Sequence, residues 1–152
     1  MNREKAHRQA VLDVLLNLTV NIDLGSGVQS VVIPVYDNKL ESDENIYVLL
    51  EAQTAQNESA FPVLIWRGII EVSIYHTQQD SATFDIIDAI GEEVENKIIN
   101  APGISNFAPQ TGWQISNTYL NSVNSLKYQE YKDGGGTVVQ KIMQFSSQLI
   151  KK

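Results

Sequence analysis

Apolar positions between residues 84 and 98 recur with the period of an α-helix. The apolar stripe consists of Phe84, Ile87, Ile90, Val94 and Ile98. A second, acidic stripe on the same stretch consists of Asp85, Asp88, Glu92 and Glu95. The two stripes predict a central amphipathic helix. Its apolar side packs on the core, and its acidic side faces solvent, a channel or a neighbouring subunit.

A second helix is predicted at the start of the chain, over residues 4–18, where apolar residues again stand three and four positions apart. Residues 46–54 and 66–76 instead alternate between apolar and polar, which is typical of half-buried strands. In the later strand the inward positions are Ile70, Val72 and Ile74, and the outward positions are Glu71 and Ser73. The polar residues between the two strands predict an antiparallel hairpin that extends beyond the sheet.

Three further segments have strand-like composition, at residues 28–37, 121–132 and 137–150. Pro34 lies in the first of them and cannot donate a hydrogen bond to a sheet, so this segment belongs at an edge or a bulge. Residues 134–136 are three glycines between the last two segments. Because glycine adopts positive φ angles readily, they predict a tight reversal and a terminal β-hairpin.

Residues 101–118 are rich in Pro, Gly, Ser and Asn, and we expect them to be irregular and anchored by Phe107 and Trp113. The order of elements is then α, β, β, β, α, β, β. This order predicts an α+β fold in which a mainly antiparallel sheet packs against an N-terminal helix and a central amphipathic helix. A chain of 152 residues with 43% hydrophobic residues fits a single domain spanning residues 1–152.

Composition narrows the classes of function. The chain has no cysteine, which excludes disulfides and thiolate metal sites, and no apolar run reaches the roughly 20 residues of a membrane span. Its formal net charge of -7 argues against sequence-specific nucleic-acid binding, because DNA-binding surfaces are basic. An acidic wall remains compatible with a channel through which DNA slides.

Candidate chemistry is sparse. His7 and His76 are the only histidines, neither has a partner at metal-ligand spacing, and we expect both at the surface or rim. Residues 25–27 and 134–136 lack the continuation of a nucleotide-binding motif, so turns explain them. For the acidic stripe a solvated face is the first interpretation, a channel wall or subunit interface the second, and a divalent-metal site the third. We therefore predict no enzymatic activity, no cofactor and no metal.

Subunit contacts are predicted at the hairpin between the two alternating strands, because its polar tip stands beside a large aromatic residue. The candidate interface residues are Gln53, Gln56, Asn57, Phe61 and Trp66. The strand edges at residues 28–36 and at the terminal hairpin are further candidates, because an unpaired edge can pair with a strand of a neighbour.

Four short segments carry a resemblance to a known family. They are Pro34-Val35-Tyr36-Asp37, a strand beginning Ile46-Tyr47-Val48, the strand at residues 69–75, and a helix opening at Thr83-Phe84-Asp85. In this order, and across about residues 5–150, the chain resembles the bacteriophage tail-terminator and tail-completion proteins.

The resemblance implies a structural virion protein of the head–tail junction or neck. Its subunits form a ring, a hexamer or alternatively a dodecamer, which joins the portal side of the capsid to the tail and leaves a channel for DNA. The implied partners are other neck, portal or tail proteins, and the implied location is the virion, with assembly in the host cytoplasm. The alternative is a small non-viral α+β domain that binds a ligand beneath the 84–99 helix or a peptide along a strand edge.

Overall fold

The computed structural model describes residues 2–37, 44–59, 64–78, 83–99, 112–130 and 136–152. In chain order the elements are α1 (Arg3–Val14), β1 (Thr19–Asp23), β2 (Val28–Val32), β3 (Val35–Asp37), β4 (Ile46–Asn57), β5 (Ile65–Gln78), α2 (Asp85–Ile99), β6 (Trp113–Glu130) and β7 (Gly136–Lys151). The fold is α+β, as predicted, with an N-terminal helix and a central amphipathic helix.

The main sheet has five strands in the order β3-β4-β5-β7-β6. All neighbours in it are antiparallel except β3 and β4, which are parallel. β5 and β7 form its centre and pair without interruption from Ile65 opposite Ile150 to Gln78 opposite Thr137. β1 and β2 form a separate antiparallel pair.

One face of the main sheet carries both helices and the core. The predicted inward residues of β5, which are Ile70, Val72 and Ile74, are fully buried there. The apolar stripe of α2 packs on the same face, and its fully buried members are Ile87, Ile90, Val94 and Ile98. The prediction for this stripe is confirmed. Ser73, in contrast, was expected to point to solvent and is buried on the opposite face of the sheet.

The first helix ends earlier than its apolar spacing predicts. α1 begins after Asn2, whose side-chain oxygen accepts a hydrogen bond from the Lys5 amide at 2.8 Å, as an N-cap does. It ends at Val14, and Asn17 then adopts a left-handed conformation with φ of 58°. Leu18 is still buried beyond the helix, so the apolar spacing does not mark where the helix ends.

Residues 19–32 form a hairpin that the sequence pattern predicted only in part. The predicted segment 28–37 divides at Pro34, so that β2 pairs with the unpredicted strand β1 while β3 joins the edge of the main sheet. The turn predicted at residues 25–27 is present: the Asp23 carboxylate accepts the amides of Gly25 and Gly27, and both glycines have positive φ.

The described part of the β4–β5 hairpin lies within the sheet, because β5 is paired with β7 as far as Ile65. Its tip, at residues 60–63, lies outside the described residues, so the predicted extension stays a prediction. β4 is also bent by a register shift between Leu50 and Gln53. The shift ends the simple alternation, so that Ala52 is exposed although it follows the buried Val48 and Leu50 at the same two-residue spacing.

The segment expected to be irregular is a strand at its end. β6 begins at Trp113, and residues 113–116 pair with residues 148–151 of β7. The register then shifts, and pairing resumes at Tyr119. Trp113 is buried, as predicted for an anchor. Phe107 and the glycines at 134 and 135 lie outside the described residues.

Candidate assembly surfaces

The acidic stripe of α2 lies on the side of the helix away from the core. Asp85, Asp88 and Glu92 are exposed and Glu95 is half-buried. The structure thus places the four carboxylates on one outer face. Its predicted role as a channel wall or a subunit interface stays a prediction.

One residue of the stripe is tied to the sheet. The Lys141 ammonium group lies 2.9 Å from the Asp88 carboxylate. The stem of Lys141 reaches this position by crossing Gly91, where a Cβ atom would come within 2.9 Å of the Lys141 Cδ. A glycine in the middle of α2 therefore lets a basic residue from the sheet reach the acidic face.

The candidate interface residues of the β4–β5 hairpin differ in their surroundings. Gln56 and Asn57 are exposed at the end of β4. Gln53 instead holds α1, because its side chain donates to the Glu4 carbonyl at 2.7 Å and accepts from Arg8 at 3.0 Å.

Trp66 is half-buried, and the Arg3 guanidinium lies 3.7 Å from its ring centroid. Gln53 and Trp66 thus contribute to packing within the chain. Phe61 lies outside the described residues.

Exposed apolar side chains lie in two regions, near residues 28–36 and on the terminal hairpin, whose strand edges were predicted as candidates for pairing with a neighbour. Leu16 and Val32 are 72% and 63% exposed beside a groove of about 330 Å³ between α1 and the β2–β3 junction. The second region is β6, whose exposed apolar and aromatic side chains are Tyr119, Val123, Leu126 and Tyr128. Clusters of this kind are typical of contact surfaces.

His7 is fully buried, and its prediction as a surface residue is wrong. Its Nε2 atom hydrogen-bonds with the Ser147 hydroxyl at 3.1 Å, and that hydroxyl pairs with Thr118 at 2.8 Å. Burial lowers the pKa of His7 from 6.5 to about 4. The ring lies against Gly68, where a Cβ atom would stand only 2.8 Å from its Nδ1 atom. A helical spacing pattern does not reveal such a polar contact between helix and sheet.

His76 is also buried, contrary to the prediction. It lies near the end of β5, and its Nδ1 atom hydrogen-bonds with the Gln78 side chain at 3.0 Å. Burial lowers the pKa of this histidine. Both histidines therefore serve packing within the chain.

The face of the main sheet opposite the helices carries a hydrogen-bonded polar layer. Tyr75 stacks on Tyr47 with ring centroids 4.9 Å apart, donates to Glu51 and accepts from Gln140. Burial, followed by the hydrogen bond to Glu51, raises the pKa of Tyr75. A second group joins Glu71, Gln144 and Ser122 across three strands. This face of the sheet is therefore covered by hydrogen-bonded polar side chains, while the apolar core lies on the other face.

Within the described part of the chain, no group of three or more His, Asp or Glu residues is arranged to hold a metal ion. The interior beneath α2, which the alternative prediction offered as a ligand pocket, is filled by the isoleucine and valine side chains of the helix.

Neither described helix combines the length and apolar content that crossing a membrane requires.

Comparison with known proteins gives one informative result. No protein-family model and no curated protein matches the sequence. Among solved structures, the fold is similar to that of a chain in the virion of a native gene transfer agent (GTA) particle. The TM-score is 0.68, the sequence identity is 14%, and the match covers 96% of each chain. At this identity the likeness establishes a shared fold along almost the whole of both chains.

Proposed function

We propose that this chain is a structural subunit of a phage-like virion, and that its copies form a ring at the head–tail junction or at the end of the tail. The observation that carries the proposal is the fold shared with a GTA virion chain over 96% of both chains. The resemblance of the sequence to tail-terminator proteins favours the same role.

The surfaces of the described chain support an assembly role. Two separate regions expose large apolar side chains, one beside the groove near Leu16 and the other along β6. A ring requires two different contact surfaces on each subunit, because every copy binds one neighbour on each side. Two regions on one subunit meet that requirement.

The acidic face of α2 has a place in this proposal. In a ring that leaves a channel for DNA, carboxylates along the channel repel phosphate and so prevent the passing DNA from binding. Asp85, Asp88, Glu92 and Glu95 are the residues that we assign to the channel or to a subunit interface. At the hairpin, Gln56 and Asn57 remain available for contacts with a neighbour.

The proposed assembly is a hexamer, with a dodecamer as the alternative. Each subunit is a single domain. Its partners are other neck, portal or tail proteins. The protein resides in the virion, after assembly in the host cytoplasm. DNA passes through the ring without sequence-specific binding, in keeping with the net charge of -7.

The experiment that tests the proposal measures mass in solution by light scattering at several concentrations, with negative-stain electron microscopy of the same samples. We expect closed rings, either from the protein alone or after addition of purified tail tubes that present the first docking surface. A protein that stays monomeric in both conditions, and that does not sediment with tail tubes, would contradict the proposal.

A further inference from the structure

The two edges of the main sheet are unlike each other. β6 forms one edge, and residues 123–129 are all exposed although they belong to a regular strand. β3 forms the other edge and is only three residues long. Among the described residues, no strand pairs with the outer side of either one. An unpaired strand edge offers main-chain hydrogen bonds to a further strand.

Charge is distributed unequally between the parts of the chain that form these edges. Residues 1–95, which include β3 and β4, contain sixteen acidic and five basic residues, a net charge of -11. Residues 96–152, which include β6 and β7, contain two acidic and six basic residues, a net charge of +4. The β6 edge thus belongs to the basic part of the molecule and the β3 edge to the acidic part.

The same contrast appears locally. Between Tyr119 and Gln129 the one charged residue is Lys127. In the groove beside β3 the one charged lining residue is Asp13. Copies with a net charge of -7 repel one another overall, so contact is most favourable where opposite edges of opposite sign meet.

Strand direction and position also match. β3 runs antiparallel to β6, because it is parallel to β4 and three antiparallel pairings follow from β4 to β6. Tyr36 lies in the same row of the sheet as Asn124, through Leu49, Ser73 and Ile142. A second copy placed beside the first therefore brings its β6 antiparallel to β3, with these two rows level.

We propose that β6 of one copy pairs with β3 of the next, so that the main sheet continues from subunit to subunit. Val123 lies on the helix side of the sheet, since its neighbour Met143 is in the core. It therefore faces the layer that contains the groove beside Leu16 and Val32. The contact is head-to-tail and closes into a ring when the rotation between copies is right. The proposed strand pairing rests on the proposed function only in the closure of the copies into a ring.

Engineered disulfides test the register of this contact. The chain has no cysteine, so every cross-link reports introduced residues. Tyr36→Cys combined with Asn124→Cys is expected to give a ladder of covalent multimers under mild oxidation, because paired residues of antiparallel strands have the Cα spacing that a disulfide requires. Two further variants carry Ser122→Cys or Leu126→Cys in place of Asn124→Cys. They detect a register between β3 and β6 that differs by two residues in either direction.

The control pair combines Tyr36→Cys with Asn96→Cys, an exposed position on α2, and is expected to stay monomeric on denaturing gels. Closed rings by microscopy without a ladder from any of the three β6 positions would overturn the edge pairing and leave the proposed function intact. A ladder without closed rings would uphold the pairing and contradict the ring. Neither ladder nor ring would overturn both.

A mixing experiment tests whether the contact is head-to-tail. One variant carries Leu16→Lys and Val32→Lys, which places positive charge on the acidic side. The other carries Val123→Glu and Leu126→Glu on β6. Each variant alone is expected to be monomeric, because its modified edge meets an unmodified edge of like charge. An equimolar mixture is expected to associate, because one contact between the two variants is unmodified and the other brings the introduced lysines opposite the introduced glutamates.

Leu24→Lys and Leu24→Glu are matched controls, since Leu24 is an exposed leucine in the β1–β2 turn. We expect both to assemble as the unmodified protein does. Assembly of either double variant at the unmodified level, or a mixture that does not associate, would overturn the proposed pairing.

Discussion

The two helices lie on the same face of the sheet but are held there by different interactions. α2 presents a continuous apolar stripe, and its side chains at positions 87, 90, 94 and 98 have no exposed surface. α1 buries one large apolar side chain, Val11, and otherwise packs through small residues, Ala6 and Ala10, and through a buried histidine that hydrogen-bonds across to Ser147. α2 is thus held mainly by burial of apolar area, whereas α1 also depends on close approach and a polar contact.

This difference determines what each helix tolerates. An apolar stripe accepts changes that keep volume and hydrophobicity, and it fails when a charge enters it. A close polar contact is sensitive to a single methyl group and to the protonation of one ring. The following predictions test that contrast, from the largest expected effect to the smallest.

Ile87→Asp is expected to unfold the protein. It places an unpaired carboxylate in a fully buried position of α2, and the expected loss of at least about 4 kcal/mol is comparable with the whole stability of a domain this size. Circular dichroism and chemical denaturation measure it. Ile87→Val is the control and should cost only about 1 kcal/mol. A folded Ile87→Asp protein would show that the stripe is not the main attachment of α2.

Acid is expected to weaken the attachment of α1 through His7. The unfolded chain takes up a proton at this histidine near pH 6.5, while the folded protein does so only near pH 4. Its contribution to stability is therefore complete above pH 6.5 and declines as the pH falls from 6.5 to 4. The decline amounts to at most about 3 kcal/mol. Denaturant titrations at several pH values across this window measure it.

His7→Leu removes the titrating group while keeping a similar volume. Ser147 retains its hydrogen bond with Thr118 in this variant. We expect the variant to lose less stability than the unmodified protein between pH 6.5 and 4, with His76, whose pKa burial also lowers, contributing to the loss that remains. Parallel curves for the two proteins would contradict the assignment of this effect to His7.

The contrast between the helices also explains what the sequence revealed. The α2 stripe and the alternation of β5 are local patterns produced by one buried face, so their burial was predicted correctly at residues such as Ile70 and Ile87. The position of His7 depends on Gly68 and Ser147, which are distant in sequence and provide space and a hydrogen-bond partner. The bulge after Leu50 likewise depends on the pairing of two strands. No spacing rule within one segment contains that information.

The same limit applies to the assembly surfaces. The acidic stripe was recognised because its members are spaced along one helix. The terminal hairpin was also expected to offer an edge to a neighbour's sheet, but which of its two strands forms that edge is set by pairings between residues far apart in the chain. Sequence reasoning also selected Gln53 and Trp66 as contact residues; the fold uses both to hold α1, and their role in a subunit contact stays a prediction. Polarity near a turn does not distinguish an internal partner from an external one.

Gly68→Ala is expected to destabilise the protein by about 1–3 kcal/mol, because the new methyl group would overlap with the His7 ring and come within 3.0 Å of Leu149. Chemical denaturation measures the loss. In a His7→Ala background the ring is absent, so the cost of Gly68→Ala should fall to less than half. Equal costs in the two backgrounds would show that the close approach of helix and sheet at this point is not limiting.

Asp88→Lys is expected to have the smallest effect, since the residue lies on the exposed face of α2. The substitution replaces an ion pair with Lys141 by two neighbouring ammonium groups, and exposed pairs contribute only about 0–1 kcal/mol. We expect a loss of about 1 kcal/mol at low salt that decreases as salt screens the repulsion. Glu92→Lys makes the same change of charge on the same exposed face and should cost less. A loss above about 2 kcal/mol that persists in high salt would mean that the acidic face is packed within the monomer. Its carboxylates would then not be exposed to line a channel.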